Sequence, residues 1–295
     1  MTQQLQELQA KYNDLREKLK FLYYWALRSD ENIRDIISKI GGIEGGVAHN
    51  DEIFDYKWRK LGKGYASLEN PEHLANIKDI VVKWTGLATE WFKGKHVLDA
   101  GCGDGRLSYG LCKLGAHVTS IDKTSTGVEC TAKYCQEFST HQALVQDILE
   151  TWDEKSNSFD LVLSFGVVHC TGDTQRAISN LGALVKLGGY FSLMVYGYPR
   201  LDKPGDFSHL VRKERIRQAI RHLDFDDAYE YILREVNDEM AVRGWFDATT
   251  PRVEDHYTFP QVAMMMKQAG FTEIIHLHPE MRNICVRGKM LKKNS

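Results

Sequence analysis

The stretch Val97-Leu98-Asp99-Ala100-Gly101-Cys102-Gly103-Asp104-Gly105-Arg106 governs the reading of the whole chain. An apolar run, HVLDA (96–100), ends beside an acid and enters a turn with glycines at 101, 103 and 105. A helical pattern follows from Arg106 to about Leu114, so the segment reads as strand, tight turn and helix. Further apolar runs follow at HVTSID (117–122), ALVQD (143–147), FDLVLSF (159–165) and GGYFSLMVYG (188–197). Helical patterns over about 125–138 and 173–186 separate them. Strands that alternate with helices call for a parallel sheet covered on both faces. A helix at 260–269 and strands TEIIHL (272–277) and NICVRG (283–288) bring the expected sheet to seven strands. The expected class is therefore α/β with a doubly wound sheet.

The turn also limits its ligand. In such a sheet, ligands bind outside the carboxyl ends of the strands. A dinucleotide fold wants G-x-G-x-x-G, with a helix N-terminus facing the pyrophosphate. The third glycine of that pattern would fall at position 106, which is Arg106. Asp99 beside the turn would repel a pyrophosphate. It suits instead a ligand with a cationic amino-acid end and no phosphate, which points to S-adenosylmethionine (SAM). Asp122, ending the second strand, can accept from both ribose hydroxyls, with Lys123 next to it. Asp147 and Ile148 can frame an adenine, and Ser164-Phe165-Gly166 ends the fourth strand beside the expected methyl group. With Asp99, Gly101, Cys102 and Gly103 these form the expected cofactor site. Singly, Asp122 could cap a helix and Asp147 could be a solvated loop acid. Carboxylates at successive strand ends make the stronger signal.

Residues 95–200 resemble the catalytic core of class I SAM-dependent methyltransferases of the small-molecule type. VLDAGCGDGR stands for the first motif of that family, the acidic end of HVTSID for the second, QDI for the third and FDLVLSFGVVHC for the fourth. LVKLGGYFSLMVYG and TFPQVAMMMKQAGFTEI also fit. The resemblance implies a Rossmann-like fold and methyl transfer to a nucleophilic atom. It covers roughly half of the chain, with no usable match in the first 90 residues or in 200–250.

The acceptor decides whether a base is needed. His169, in SFGVVHC after the fourth strand, is the first candidate; a packed, non-catalytic histidine is the alternative. Glu254-Asp255-His256-Tyr257 places acid, imidazole and phenol together before the last helix, with His256 and Tyr257 as candidate catalytic groups and Asp255 as a substrate contact. A polar loop capping that helix would look the same. Tyr196 and Tyr65 are candidate substrate contacts, and Tyr56, Trp58 and Tyr65 either fold over the cofactor or pack in the core. Arg212 leads a basic helix, HLVRKERIRQAIRHL, that reads as a cationic wall for an acidic substrate or as a solvated face.

The expected organisation is a helical segment over 1–40, a helical cap over 41–93, the SAM-binding core over 94–199, a helical lid insert over 200–250 after the fifth strand, and the end of the core sheet over 251–295. The insert should hold helices near 208–222 and 226–242. Gly41, Gly42, Gly45 and Gly46 read as a break or loop. Leu5, Leu8, Tyr12, Leu15, Leu19, Leu22 and Ala26 alternate three and four apart, an a/d seam. A homodimer through this N-terminal heptad helix and a helix packed on its own domain both fit that seam.

The chain has 295 residues, with 38 basic and 40 acidic side chains and a formal net charge of −2. Near-neutrality gives no electrostatic reason to expect a nucleic acid or membrane partner. Hydrophobic residues at 43 % and charged residues at 26 % exclude wholesale disorder. No apolar run nears the ~18 residues a membrane span needs, and the polar first residues do not read as a secretory signal. Six scattered cysteines, with no C-x-x-C pair, read as reduced thiols in a cytoplasmic protein, and no metal-ligand spacing occurs. The expectation is a SAM-dependent methyltransferase acting on an oxygen, or second a nitrogen, of a small molecule such as a natural product or sugar intermediate. A protein or RNA methyltransferase and a non-catalytic SAM-binding scaffold are the alternatives.

Overall fold

The computed structural model describes Asp14, Lys18 and residues 42–60, 64–200 and 203–291. The heptad seam and the 1–40 segment therefore lie outside the described residues, apart from Asp14 and Lys18, an i,i+4 ion pair at 2.7 Å.

Seven strands form one sheet. They are β1 (His96–Ala100), β2 (His117–Asp122), β3 (His141–Val145), β4 (Phe159–Phe165), β5 (Val185–Val195), β6 (Phe271–His276) and β7 (Ile284–Met290). Their order is β3-β2-β1-β4-β5-β7-β6. The first five run parallel, and β7 lies antiparallel between β5 and β6. Helices α1 (Gly42–Lys60), α2 (Pro71–Thr85), α3 (Arg106–Lys113), α4 (Ser125–Tyr134) and α5 (Thr174–Ala183) accompany the parallel strands. After β5 come α6 (Pro204–Ile220), α7 (Phe225–Val236) and α8 (Glu239–Thr249), then α9 (Phe259–Gln268) before β6.

The near-continuous apolar runs of the central strands follow from burial on both faces. Val97, Leu98, Leu161, Val162, Leu163, Phe191 and Leu193 are all fully buried. Register then sets the site. Asp99 pairs with Ser120, and Asp122 pairs with Val145, so the chain leaves β1, β2 and β3 along one edge. Strand order reverses between β1 and β4, which opens a crevice at that edge.

Three expectations need correction. The glycines at 42, 45 and 46 do not break the chain, because α1 runs through them. Each glycine costs a helix about 1 kcal/mol, and the docking of the following turns offsets it: Ile53 is fully buried and Asp55 accepts from Thr126 Oγ1 at 2.7 Å. The expected 226–242 helix is two helices. Asn237 caps α7 with φ 53°, and the Asp238 carboxylate accepts from Met240 N and Ala241 N to start α8. The third strand ends at Val145, two residues early: Gln146 N makes the last ladder bond, to Asp122 O at 3.0 Å, and the Asp147 carboxylate then accepts from Leu149 N at 2.8 Å in a turn. Among the described residues no helix is long and apolar enough to cross a membrane.

Candidate active site

The turn after β1 is the floor of the site. Gly101, Gly103 and Gly105 have φ of 83°, 53° and 80°. Gly101 N and Cys102 N donate to Ile121 O at 2.8 and 2.9 Å, which ties the turn to β2. A Cβ on Gly103 would lie 2.5 Å from the Trp58 ring, and one on Gly101 would lie 2.3 Å from Val167. Glycine is required at both positions by φ and by space.

Above this floor lies a cavity of about 280 Å³. Asp99, Gly101, Cys102, Gly103, Asp122, Lys123, Asp147, Ile148, Phe165 and Gly166 all line it. Asp99 is 2 % exposed, and its Oδ2 accepts from Ser108 Oγ at 2.6 Å. Ser108 continues to Ser120 Oγ at 2.7 Å and then to His141 Nε2 at 2.9 Å. Burial raises the Asp99 pKa to about 6, against the opposing effect of the Ser108 hydrogen bond. Asp122 accepts from Gly103 N through Oδ2 at 2.9 Å, and from Thr124 N and Oγ1 through Oδ1 at 2.9 and 2.8 Å. Burial raises its pKa as well. Asp147 accepts from Leu149 N at 2.8 Å, and its other oxygen lies 3.3 Å from Lys123 Nζ.

The opposite wall is α1, which the sequence reading did not assign to the cavity beyond the aromatic Trp58. Asn50, Asp51, Phe54, Lys57 and Trp58 face the cavity. Their spacing is one helical face, a signal hidden once the preceding glycines were read as a break. Asp51 meets Lys123 at 2.8 Å. Asn50 Nδ2 donates to Val253 O at 2.8 Å, and Asn50 Oδ1 accepts from Arg252 N at 2.9 Å. Lys57 is 6 % exposed, pairs with Asp247 of α8 at 2.8 Å and lies 4.3 Å from the centre of the Trp58 ring. Burial pushes its pKa down, opposed by Asp247. Arg243 of α8 pairs with Asp104 of the turn at 2.5 Å. Tyr196, Met194, Cys170 and Asn283 complete the end near Gly166. Asn283 Oδ1 is buried without a hydrogen-bond partner.

A second cavity of about 400 Å³ lies behind, between α8 and the 64–66 turn. Lys57, Trp58, Asp104, Arg106 and Asp247 line both cavities. Tyr65 lines only the second, with its hydroxyl donating to Asp238 at 2.9 Å.

Several expected residues lie elsewhere. Ser164 turns its hydroxyl into the sheet, donating to Ala100 O at 3.0 Å. His169 is fully buried, its ring centre 4.2 Å from that of Tyr196, and neither ring nitrogen has a hydrogen-bond partner. Burial lowers its pKa to about 4, so the ring is neutral at pH 7. His256 Nε2 sits 3.4 Å from Glu254, and Tyr257 donates to Asp255 at 3.3 Å. The backbones of Asp255 and Tyr257 bond to His169 O and Tyr196 O. Glu254 is buried against Lys213 at 2.6 Å and Arg217 at 3.5 Å. Arg212 donates to Glu235 O and lies 5.0 Å from the Trp245 ring centre. Among the described residues, no group of three acids, histidines or cysteines could hold a metal ion.

Comparison with known proteins agrees with this architecture. Residues 92–228 match the methyltransferase-domain family. The chain is 34 % identical over 135 residues to the ubiquinone biosynthesis O-methyltransferase of Coxiella burnetii (strain RSA 493 / Nine Mile phase I), covering 45 % of this chain and 53 % of that one. It is 30 % identical over 123 residues to the protein of the same name from Chelativorans sp. (strain BNC1), covering 41 % and 49 %. The chain thus spans about half the length of these relatives. In fold it is similar to the 1,6-didemethyltoxoflavin-N1-methyltransferase of Burkholderia thailandensis, solved with S-adenosylhomocysteine, at a TM-score of 0.51 and 14 % identity over 86 % of this chain and 92 % of that one.

Proposed function

We propose that this chain, whose residues 92–228 match the methyltransferase-domain family, moves a methyl group from SAM to a hydroxyl oxygen of a small molecule. One observation carries the reading. Asp99, Asp122 and Asp147 leave three adjacent strands, β1, β2 and β3, and line one cavity with the glycine turn. This acceptor set fits the cofactor: an ammonium, a ribose diol and an exocyclic amine each need an acceptor, and the Asp99 carboxylate beside the turn disfavours a pyrophosphate. The cofactor supplies an electrophilic methyl on a sulfonium, so the chain supplies position and dryness.

Asp99 takes the amino-acid ammonium. Asp122 holds the ribose while Gly103 N and the Thr124 hydroxyl fix its orientation. Asp147 accepts from the adenine, and Ile148 covers the ring. Arg106 lines the same cavity and serves the carboxylate of the amino-acid end. Phe165 and Gly166 border the methyl group, with Tyr196 across from them. Ser164 and His169 support this frame from behind rather than touching the reactants. The helices α6–α8 and α1 act as the lid, excluding water from a compact acceptor. The name of the Coxiella relative supports an oxygen acceptor.

Isothermal titration with SAM and with S-adenosylhomocysteine tests the reading. Micromolar binding that Asp122→Ala weakens at least tenfold supports it. Absence of binding at millimolar ligand overturns it.

A further inference from the structure

We infer that Asn283 positions the methyl acceptor: its side-chain carbonyl holds the reacting hydroxyl by its proton, so the site selects a neutral hydroxyl over an oxyanion. This rests on the methyltransferase reading above, since it concerns the point of transfer in that cofactor cavity.

Asn283 lies just before β7 and lines the cofactor cavity at the end it shares with Gly166, Met194 and Tyr196. Ile284 pairs with Val195, which sets Asn283 beside Tyr196 at the end of β5. The close approach is built into the backbone: a Cβ on Gly197 would collide with Arg282 O, so glycine there lets the two segments touch. Gly197 also bridges to Tyr257, and three chain segments thus meet at this point.

The Asn283 carbonyl is uncommitted. Its Oδ1 is buried and has no hydrogen-bond partner among the described residues. Polar neighbours in the same cavity are engaged. Asn50 Nδ2 donates to Cys170 O at 3.2 Å and to Val253 O at 2.8 Å, and Thr171 Oγ1 donates to Val168 O at 2.8 Å. Buried polar groups are bonded in the great majority of cases. An unbonded carbonyl beside the transfer point therefore calls for a partner that the protein does not supply. An amide oxygen accepts and never donates, so that partner is a donor.

This fits the needs of the reaction. An incoming oxygen must aim a lone pair along the S–CH3 axis. With its O–H given to the Asn283 carbonyl, the hydroxyl keeps both lone pairs for that approach. A carboxylate or other oxyanion brings no proton and meets the negative end of the carbonyl dipole. A neutral amide removes no proton, so Asn283 orients the acceptor and is not a base.

The cofactor analogue sinefungin has an amine-bearing carbon in place of the methylated sulfur, so it puts a hydrogen-bond donor at the transfer point. S-adenosylhomocysteine puts only a thioether there. Full-length protein is titrated with each by calorimetry. Asn283→Leu, close to the same shape, should weaken sinefungin at least fivefold and leave S-adenosylhomocysteine within twofold of the wild type. Asn283→Asp should bind sinefungin at least as tightly as the wild type, because a charge-assisted bond replaces a neutral one. A purely structural role would move both ligands together. If Asn283→Leu keeps the wild-type ratio of affinities, if both ligands weaken alike, or if Asn283→Asp loses sinefungin, this inference falls and the methyltransferase reading stands. If the wild type does not bind S-adenosylhomocysteine, both fall.

Discussion

Lys57 on α1 and Asp247 on α8 meet at 2.8 Å and close the space between the two cavities. The lysine is buried, whereas the Asp247 side chain keeps 33 % of its exposure. Removing one partner leaves a partly desolvated charge alone. Lys57→Met should lower stability by about 2 kcal/mol, discounted for the exposure of Asp247. Lys57→Met combined with Asp247→Leu should recover most of that loss in urea titrations. Equal stability of the single variant and the wild type would show that the pair contributes nothing.

Asp99 sets a pH dependence. Its pKa is about 6 in the folded chain, against an ordinary value of 3.8. The folded state therefore binds more protons between these values, and stability falls as pH rises from 3.8 to about 6. Above that range the buried charge persists as a destabilisation of about 3 kcal/mol. Cofactor binding runs the other way, because the ionised form attracts the ammonium. SAM affinity should fall as pH drops below 6, while Asp99→Asn should melt higher at pH 7.5 and bind SAM weakly at every pH. Calorimetry and melting curves from pH 5 to 8 check both limbs.

His169 offers a sharp contrast. Both ring nitrogens lack hydrogen-bond partners in a fully buried position. An apolar ring of similar size should be tolerated there. His169→Phe should melt at or above the wild-type temperature and bind S-adenosylhomocysteine within threefold of it. A large loss of either would mean that the imidazole nitrogens have a role beyond packing.

Glu254 should behave in the opposite sense. Its side chain is fully buried with Lys213, and Arg217 lies within 3.5 Å. Glu254→Gln removes the buried charge that faces the Lys213 ammonium and should destabilise by about 3 kcal/mol. High salt should change the wild-type stability little, because a buried pair is poorly screened. Urea titrations at low and high salt measure both effects.

Much of this was legible from local pattern. The strands at 117–122 and 159–165 fall where apolar runs place them. The acids at 99, 122 and 147 reach one cavity because register in a parallel sheet aligns strand tips. What local pattern could not give is partnership between distant segments. Glu254 and His256 read equally as a reactive cluster or a polar loop, and the basic helix as a cationic wall or a solvated face. Only packing turns Lys213 and Arg217 inward to Glu254. Likewise α1 carries the face that covers the cavity, but glycine composition argued against a helix there. Its tertiary anchors at Asn50, Asp55 and Lys57 overrode that propensity.

Those anchors have a kinetic meaning. Helix α1 is fastened on one flank by Asp51 to Lys123 and on the other by Lys57 to Asp247, with the nucleoside's berth beneath it. A guest enclosed there departs only when one fastening lets go. The spent nucleoside should therefore leave slowly, with ionic strength speeding its exit through the exposed Asp51 latch, and turnover should be paced by unfastening rather than by bond making.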